Sequence, residues 1–494
     1  MKSLLTTFLT LLVIFPLRAQ TLTPEQARED VQFLKKKLDR LHPGVGYYLS
    51  QPDFDRLYDS LSNRLTQPVD YQTFFREVTP LIAGLKDGHT SLHHRRNRNS
   101  KNNRTLPFFL RQAGDRYYIS HNLSDDSTLV RGTELLRIDG QTVVDLHRLL
   151  QDTDRSGSDG DNRTGRRFRS LANFPGYYTD WFGSRDSVLI TYRLPADTSQ
   201  RTRWLHCETG SVLEANLKKR YRKEINSSPN LSVRMVDSLD RTAVLRISTF
   251  SSSPVDLATG KFSRRLKRAF RQIQEKEVRN LVVDVRSNGG GVVVNAARLL
   301  QYWMPGPFRV MERETMKHDV RQAFVKWYNP FSWAVFPIFY KPDTTGGYTE
   351  RFTARPYRPR KKYRYDGKLY FLVNGASYSA TATVLVHTLN AGLGTFVGEA
   401  CGGAYWGDFA GQFKTVILPN SGLRVTIPLK RLAHAVDPKN ANGFTVEPDF
   451  PIERTYDDIL EGRDYAMQYT FWLIKRGKVA SRVEKNLVGT VATP

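Results

Sequence analysis

The sequence predicts a multidomain α/β protein, with an N-terminal helical domain, a β-rich module and an α/β core in that order. Three observations lead to this fold class. The length of 494 residues exceeds that of one ordinary domain. Near the N-terminus, apolar residues recur at helical spacing. From about residue 240 onward, apolar strands alternate with amphipathic helices, which is typical of helices packed on a largely buried sheet.

Residues 21–104 are predicted to form the helical domain. Thr23, Pro24 and Gln26 make a helix start signal, because Thr can cap the helix, Pro suits its first position and Gln can return the capping bond. Two further helices are predicted over 54–65 and 71–85. The second of these should end at the turn dipeptide Asp87-Gly88, which places His89 on a short connection just past a helix.

Residues 105–210 are typical of a β-rich module, in which Asp139-Gly140 is predicted as a tight turn between two strands. The stretch 156–167 is rich in Gly, Asp, Ser and Arg and is predicted to be a surface loop. The core is predicted over 235–477, and residues 478–494 form a C-terminal tail.

An insertion at 311–365 interrupts the core, and it is rich in aromatic residues. Ordinary packing is the favoured interpretation, and an apolar rim for substrate or for a membrane surface is the alternative. The residues concerned are Trp327, Tyr328, Phe331, Trp333, Phe336, Phe339 and Tyr340.

The first twenty residues have the layout of a secretory signal peptide. Lys2 gives a basic start, residues 4–17 form an apolar run, and Arg18-Ala19-Gln20 follows. We therefore expect residues 1–20 to be a signal peptide and the protein to be exported to the periplasm or cell envelope. An anchor that is never cleaved is the alternative.

The net charge of +25 would attract anionic partners. The basic residues are scattered, however, and no nucleic-acid-binding motif accompanies them, so a basic envelope protein is favoured and nucleic-acid binding is not predicted. The two cysteines, Cys207 and Cys401, permit a disulfide but do not require one. No cluster has zinc-ligand spacing, and neither a metal nor a cofactor is predicted.

The strongest signal of chemistry is the segment 374–380, Asn-Gly-Ala-Ser-Tyr-Ser-Ala, which follows an apolar strand and leads into an apolar helix. A hydroxyl at such a turn, that of Ser379, lies at the sheet edge near the positive end of the helix dipole. The N–H of Ala380 could then stabilise an oxyanion. A capping Ser without chemistry is the alternative interpretation of this segment alone.

Two more segments strengthen the catalytic interpretation. Residues 284–291 also follow a buried strand, and Gly289, Gly290 and Gly291 allow a sharp turn with exposed N–H groups. A plain tight turn is the alternative, and a phosphate loop is disfavoured because its Lys-Ser/Thr ending is missing. His89, in the segment Asp87-Gly88-His89-Thr90, can reach a distant Ser because catalytic triads are spatial and not sequential.

Together these segments resemble the tail-specific (C-terminal processing) serine peptidases, and most closely their Ser–His branch, which is related to the tricorn core and to interphotoreceptor retinoid-binding modules. Further matching segments are Gly398-Glu399, 418–421 and Pro448-Asp449. The resemblance implies a PDZ-like module at 105–210 and a crotonase/ClpP-like catalytic core. It also implies Ser379 as nucleophile, with an oxyanion hole from Ala380 and either Gly289 or Gly290.

One departure from the family concerns the base. Many members use a Lys beyond the nucleophile, but here Gly402-Gly403-Ala404-Tyr405 occupies that region. His89 is the expected general base, since an imidazole can accept and return a proton near neutral pH. Its orienting group is expected to be Asn442, which stands where relatives carry a Glu, and Asp408 and Glu447 are weaker alternatives.

The sequence therefore predicts an exported serine endopeptidase that cleaves unstructured or C-terminal peptide segments through an acyl-enzyme. Its partner is a peptide or protein substrate, and association with a membrane surface is compatible with the aromatic insertion. A catalytically silent binding protein for peptides or apolar ligands is the alternative on the same fold.

Overall fold

A computed structural model describes residues 21–94, 103–153, 159–225, 229–321, 331–353 and 355–477. The predicted signal peptide, the C-terminal tail, and Trp327 and Tyr328 of the aromatic insertion lie outside these residues. Across the described ranges, no helix has the length and apolar character needed to cross a bilayer.

The helices of the described residues are α1 (Pro24–Leu41), α2 (Gln51–Arg64), α3 (Tyr71–Ala83), α4 (Val143–Asp152), α5 (Arg163–Ala172), α6 (Phe174–Phe182), α7 (Gly210–Arg220), α8 (Arg222–Ile225), α9 (Pro254–Ala258), α10 (Lys261–Glu275), α11 (Val293–Leu300), α12 (Phe331–Phe339), α13 (Ala380–Asn390), α14 (Tyr456–Glu461) and α15 (Tyr465–Lys475).

The strands are β1 (Thr21–Leu22), β2 (Val69–Asp70), β3 (Ser91–His93), β4 (Arg104–Thr105), β5 (Phe108–Ala113), β6 (Arg116–Asn122), β7 (Glu134–Ile138), β8 (Gln141–Thr142), β9 (Ser187–Arg193), β10 (Arg201–His206), β11 (Glu208–Thr209), β12 (Leu231–Met235), β13 (Thr242–Ile247), β14 (Asn280–Asp284), β15 (Met311–Met316), β16 (Tyr340–Pro342), β17 (Tyr348–Glu350), β18 (Lys368–Val373), β19 (Thr395–Gly398), β20 (Gly407–Ile417), β21 (Arg424–His434) and β22 (Phe450–Pro451).

The first and third N-terminal helices begin where the sequence predicts, the second begins three residues earlier, at Gln51, and all three pack on a sheet of the core. Thr23 and Gln26 form the expected capping box at the start of α1. The apolar faces of α1 to α3 then share one hydrophobic core with β21 and its neighbours in the antiparallel sheet β16-β17-β15-β21-β20. The buried carboxylate of Asp30 on α1 accepts the N–H groups of Asn420 and Ser421 at 2.8 Å each. The turn between β20 and β21 is thereby fixed to α1.

Residues 105–210 contain an antiparallel sheet of order β10-β9-β7-β6-β5, whose own core includes side chains of α4 and α6. The prediction of a surface loop over 156–167 is wrong in part, because α5 begins at Arg163. Asn162 caps this helix through Gly165, and Asp159 is fully buried. Asp159 and Asn162, two of the polar residues that suggested a loop, are therefore buried in the fold as hydrogen-bond partners of backbone groups.

The central sheet has the order β12-β13-β14-β18-β19-β22. It is parallel except for the antiparallel pair of β12 and β13. One face packs against α10, α11 and α13, and the other packs against α15. The carboxyl ends of β14, β18 and β19 meet at one edge, which is where parallel sheets usually bind ligands. The two catalytic segments predicted from the sequence follow β14 and β18 at this edge.

Candidate active site

Ser379 lies on a strained turn between β18 and α13. Its backbone has φ 54° and ψ −124°, a region that L residues rarely adopt and that costs about 1–3 kcal/mol. Ser379 is the residue before the first helical one, yet its side chain does not cap the helix. The turn therefore presents the Oγ away from the helix, as in strand–nucleophile–helix elbows.

His89 lies on the connection after α3 and meets Ser379 across 290 positions of the chain. Its Nε2 is 3.2 Å from Ser379 Oγ. The turn that carries it is held by the buried Asp87, which accepts the N–H groups of His89 and Thr90 at 3.0 Å each and bonds His42 Nε2 at 3.0 Å. His89 and Ser379, which the sequence analysis expects to be neighbours, are thus in direct contact.

The other ring nitrogen of His89 faces a group that the sequence analysis did not single out. Tyr378 Oη lies 3.1 Å from His89 Nδ1 and donates to Asp159 Oδ1 at 2.6 Å. Asp159 in turn accepts the N–H of Gly88 at 3.2 Å and that of Ala404 at 3.4 Å. No sequence signal marks this pair, because Tyr378 is an ordinary aromatic position and Asp159 lies in a polar stretch.

Asp408, at the start of β20, is a third buried carboxyl group beside the His–Ser pair. Its Oδ2 lies 3.9 Å from His89 Nε2. Its Oδ1 is buried, and the described residues give that oxygen no hydrogen-bond partner. Asp408 is therefore on the nucleophile's side of the ring and not on the Nδ1 side that an orienting acid would occupy.

Burial dominates the electrostatics of the site. It lowers the pKa of His89 to about 4, with the charge of Arg169 acting in the same direction and that of Asp87 opposing. Burial, with the negative charge of Asp87, raises the pKa of Asp159 to about 7. Burial and the other carboxylates likewise raise the pKa values of Asp408 and Tyr378. At neutral pH, His89 is therefore a neutral base and Tyr378 a protonated phenol.

The loop after β14 lies against the nucleophile turn. Asn288 O accepts the Tyr378 N–H at 3.1 Å, and Asn288 Oδ1 accepts the Gly290 N–H at 3.0 Å. The N–H of Gly289 has no hydrogen-bond partner among the described residues. Gly289 and Gly290 are the two glycines predicted for an oxyanion hole, and among the described residues only the Gly289 N–H is left without a partner. The second candidate donor is the N–H of Ala380, the first residue of α13.

Asn442 does not meet His89, contrary to the sequence expectation. Its side-chain amide is exposed and exchanges two hydrogen bonds with the backbone of Glu447, at 2.9 and 3.2 Å. Both polar atoms of the amide are therefore used in hydrogen bonds within its own loop. The hydrogen-bonded neighbour of His89 Nδ1 is Tyr378 instead.

Only one group of side chains in the described ranges has its ligand atoms close enough to hold a metal ion. Asp87, His89 and Asp159 each offer one ligand atom, and these atoms lie within 4.8 Å of one another. All three side chains already have hydrogen-bond partners in the protein, and they form part of the environment of His89.

Comparison with known proteins identifies a domain that includes Ser379. Residues 241–452 match the model of peptidase family S41. The fold is similar to mature CPAF, with a TM-score of 0.64 and 16% identity over 92% of this chain and 99% of that one. Mature CPAF complexed with lactacystin gives a TM-score of 0.62 and 16% identity over 92% and 97%.

A third similar structure is the photosystem II D1 C-terminal processing protease, with a TM-score of 0.40 and 12% identity over 87% of this chain and 93% of that one. No curated protein sequence matches this chain.

Proposed function

We propose that this chain, a serine peptidase whose residues 241–452 form a peptidase family S41 domain, cleaves unstructured peptide segments through an acyl-enzyme intermediate. Ser379 is the nucleophile and His89 the general base. The observation that carries the proposal is the 3.2 Å separation of His89 Nε2 from Ser379 Oγ, which is within reach of direct proton transfer.

The steps follow from that contact. Ser379 Oγ attacks the scissile carbonyl carbon while its proton passes to His89 Nε2. The negative carbonyl oxygen is stabilised by the N–H groups of Ala380 and Gly289, neither of which has a hydrogen-bond partner among the described residues. When the C–N bond breaks, Nε2 returns the proton to the leaving amine. Water then attacks the carbonyl carbon of the acyl-enzyme ester and gives its proton to His89 Nε2. When the ester C–O bond breaks, Nε2 returns that proton to Ser379 Oγ.

Peptide capture is proposed for the groove beside the predicted PDZ-like module. A cavity of about 400 Å³ lies between β5, helix α5 and the loops after β14 and β18. Arg111 on β5 and Phe168 and Leu171 on α5 line one side, and Ser287 and Asn374 line the other. Strand β5 is at the end of its sheet, so an extended peptide can add to it as a further strand. The Arg111 guanidinium suits a terminal carboxylate.

We also propose that the protein acts outside the cytoplasm. The basic start, apolar run and small residues of 1–20 support this. Mass spectrometry of the protein purified from a periplasmic extract should give a mature N-terminus at Thr21, or at Gln20 if the cut follows Ala19. Recovery of the uncleaved chain in the membrane fraction would support the anchor instead.

A serine-directed fluorophosphonate probe tests the chemistry. Wild type should be labelled, peptide mapping should place the label on Ser379, and unfolded casein should be degraded. Ser379→Ala and His89→Ala should abolish both, while His206→Ala, which changes an exposed histidine on β10, should not. Equal casein turnover by wild type and Ser379→Ala, with the fold intact by circular dichroism, would favour the silent binding protein.

A further inference from the structure

We infer that Tyr378 and Asp159 form a positioning pair for His89, so that a phenol bound to a carboxyl group replaces the acid of a Ser–His–acid triad. The inference rests on the proposed function, and it names residues that neither the sequence motifs nor the family assignment supplies. It starts from two contacts: Tyr378 Oη lies 3.1 Å from His89 Nδ1 and 2.6 Å from Asp159 Oδ1.

Counting protons fixes the tautomer of the imidazole. A phenol has one proton to donate, and the shorter contact, to Asp159, takes it. Tyr378 Oη can then only accept from His89, which requires the proton of the neutral ring to be on Nδ1. The lone pair is left on Nε2, facing Ser379 Oγ, as a general base requires. The pair thus selects the productive tautomer, which is the role of the acid in a triad.

Asp159 is itself held in place. Its Oδ1 also accepts the Gly88 N–H, and its Oδ2 accepts that of Ala404. The neutral acid still has an unprotonated oxygen to accept from the phenol, so the arrangement does not require a fixed charge. A Cβ at Gly88 would overlap Tyr378 Oη, so glycine is needed for the phenol to approach.

The Arg169 guanidinium lies over the ring of the phenol. Its guanidinium carbon is 5.6 Å from the centre of the Tyr378 ring, and it donates to Gly88 O at 3.2 Å. The phenol thus has little freedom to turn away from His89.

The other carboxyl groups near His89 cannot take this role. Asp87 Oδ1 is 3.9 Å from Nδ1, beyond hydrogen-bond distance, and already accepts the His89 backbone N–H. Asp408 approaches the Nε2 side of the ring. Within the described ranges, Tyr378 Oη is the hydrogen-bond partner of Nδ1.

The pair has a consequence for the organisation of the enzyme. Tyr378 directly precedes the nucleophile in the chain, whereas Asp159 comes from the segment between α4 and α5, outside the S41 domain. The ring that serves Ser379 is thus oriented by the predicted peptide-binding module. Displacing that module would release Tyr378 and, through it, His89.

The test uses the full-length protein with Tyr378→Phe, Asp159→Asn and the double variant. We expect Tyr378→Phe to lower kcat by about 100-fold or more with KM within about threefold, because a mispositioned base affects the chemical step. Asp159→Asn should lower kcat by about 10- to 100-fold, as for residues that act through an intermediate ligand. The double variant should lose no more than Tyr378→Phe alone, because Asp159 acts through the phenol.

A matched control exists in the same chain. Tyr117 Oη lies 2.8 Å from His147 Nδ1 in the core of the module, so Tyr117→Phe removes the same bond at another histidine. It should leave kcat unchanged even if it lowers the melting temperature. In ¹⁵N NMR spectra, the His89 ring should carry its proton on Nδ1 in wild type and shift toward the other tautomer in Tyr378→Phe.

The outcomes separate the two claims. Wild-type kcat and an unchanged tautomer in Tyr378→Phe would overturn the positioning pair while leaving the peptidase intact. If the losses of kcat in the two single variants added up in the double variant, Asp159 would act independently of Tyr378. That result would overturn the inference that Asp159 acts through the phenol. A wild type that neither labels at Ser379 nor turns over casein would instead refute the proposed function.

Discussion

Replacing Gly290 by Ala places a methyl group between the two catalytic loops. The added Cβ would lie 2.7 Å from Tyr378 O, 2.8 Å from Ser379 Cβ and 2.9 Å from Ala380 N. Two of these contacts are with backbone atoms, which cannot rotate away. Gly290 also has φ 102°, a conformation that an L residue adopts only under strain. The loop after β14, the nucleophile turn, or both must therefore move.

The magnitude follows from two costs. The backbone conformation costs about 1–3 kcal/mol, and overpacking a filled site costs about 1–3 kcal/mol. We expect the free energy of unfolding to fall by about 2–6 kcal/mol. Where the loops separate to relieve the contact, the oxyanion donors move relative to Ser379. The misplacement of a single donor lowers kcat by about 100- to 1,000-fold.

The assay is the second-order rate of fluorophosphonate labelling, measured beside urea unfolding. Gly306→Ala is the matched control, because that glycine is in the same core, has open space around its Cβ position and needs no positive φ. It should label at the wild-type rate. Labelling of Gly290→Ala within threefold of wild type, at wild-type stability, would show that the two loops do not pack as described.

Three other predictions concern charge. Because burial lowers the pKa of His89 to about 4, kcat/KM should remain high at pH 5 and be lost as pH falls through about 4; an acid limb near pH 6.5 would contradict this. Asp408→Asn should raise the free energy of unfolding at pH 8 by about 1–3 kcal/mol, because it replaces a buried carboxyl whose Oδ1 has no partner among the described residues. Folding raises the pKa of Asp408, so the contribution of this carboxyl to stability is present at low pH and is lost as pH rises. The stability gained by Asp408→Asn, measured by urea unfolding, should therefore shrink toward pH 4. A stability gain that is constant with pH would refute the reasoning. Asp30→Ala should lower the unfolding free energy by about 2–4 kcal/mol, because it leaves the N–H groups of Asn420 and Ser421 without their acceptor; an unchanged urea midpoint would count against this.

The parts of the molecule that the sequence predicted are those that local patterns determine. The capping box at Thr23, the Asp139-Gly140 turn and the strand-to-helix turn at Ser379 each depend on neighbouring residues, and each was predicted close to its observed bounds. The pairing of His89 with Ser379 was inferred through the family resemblance, since two positions so far apart have no local signal.

The missed features depend on contacts between distant segments. The sequence does not predict the long hairpin of β20 and β21, although the segment 418–421 at its turn matches a family motif. The polar stretch around Asp159 predicts a surface loop, and only the folded chain shows that the carboxylate of Asp159 accepts the N–H groups of Gly88 and Ala404. The position of Asn442 in the family pattern predicts contact with His89, but its side-chain amide donates to the backbone of its own loop.

The reactive centre is a composite of chain segments that are synthesised far apart. His89 comes from the N-terminal part, Asp159 from the module that follows, Gly289 from the first half of the core, and Ser379 and Asp408 from its second half. While the chain is emerging or still partly folded, these groups are too far apart to form a hydrolytic site. Under the proposed mechanism, peptidase activity therefore arises only once these distant segments have assembled in the tertiary structure.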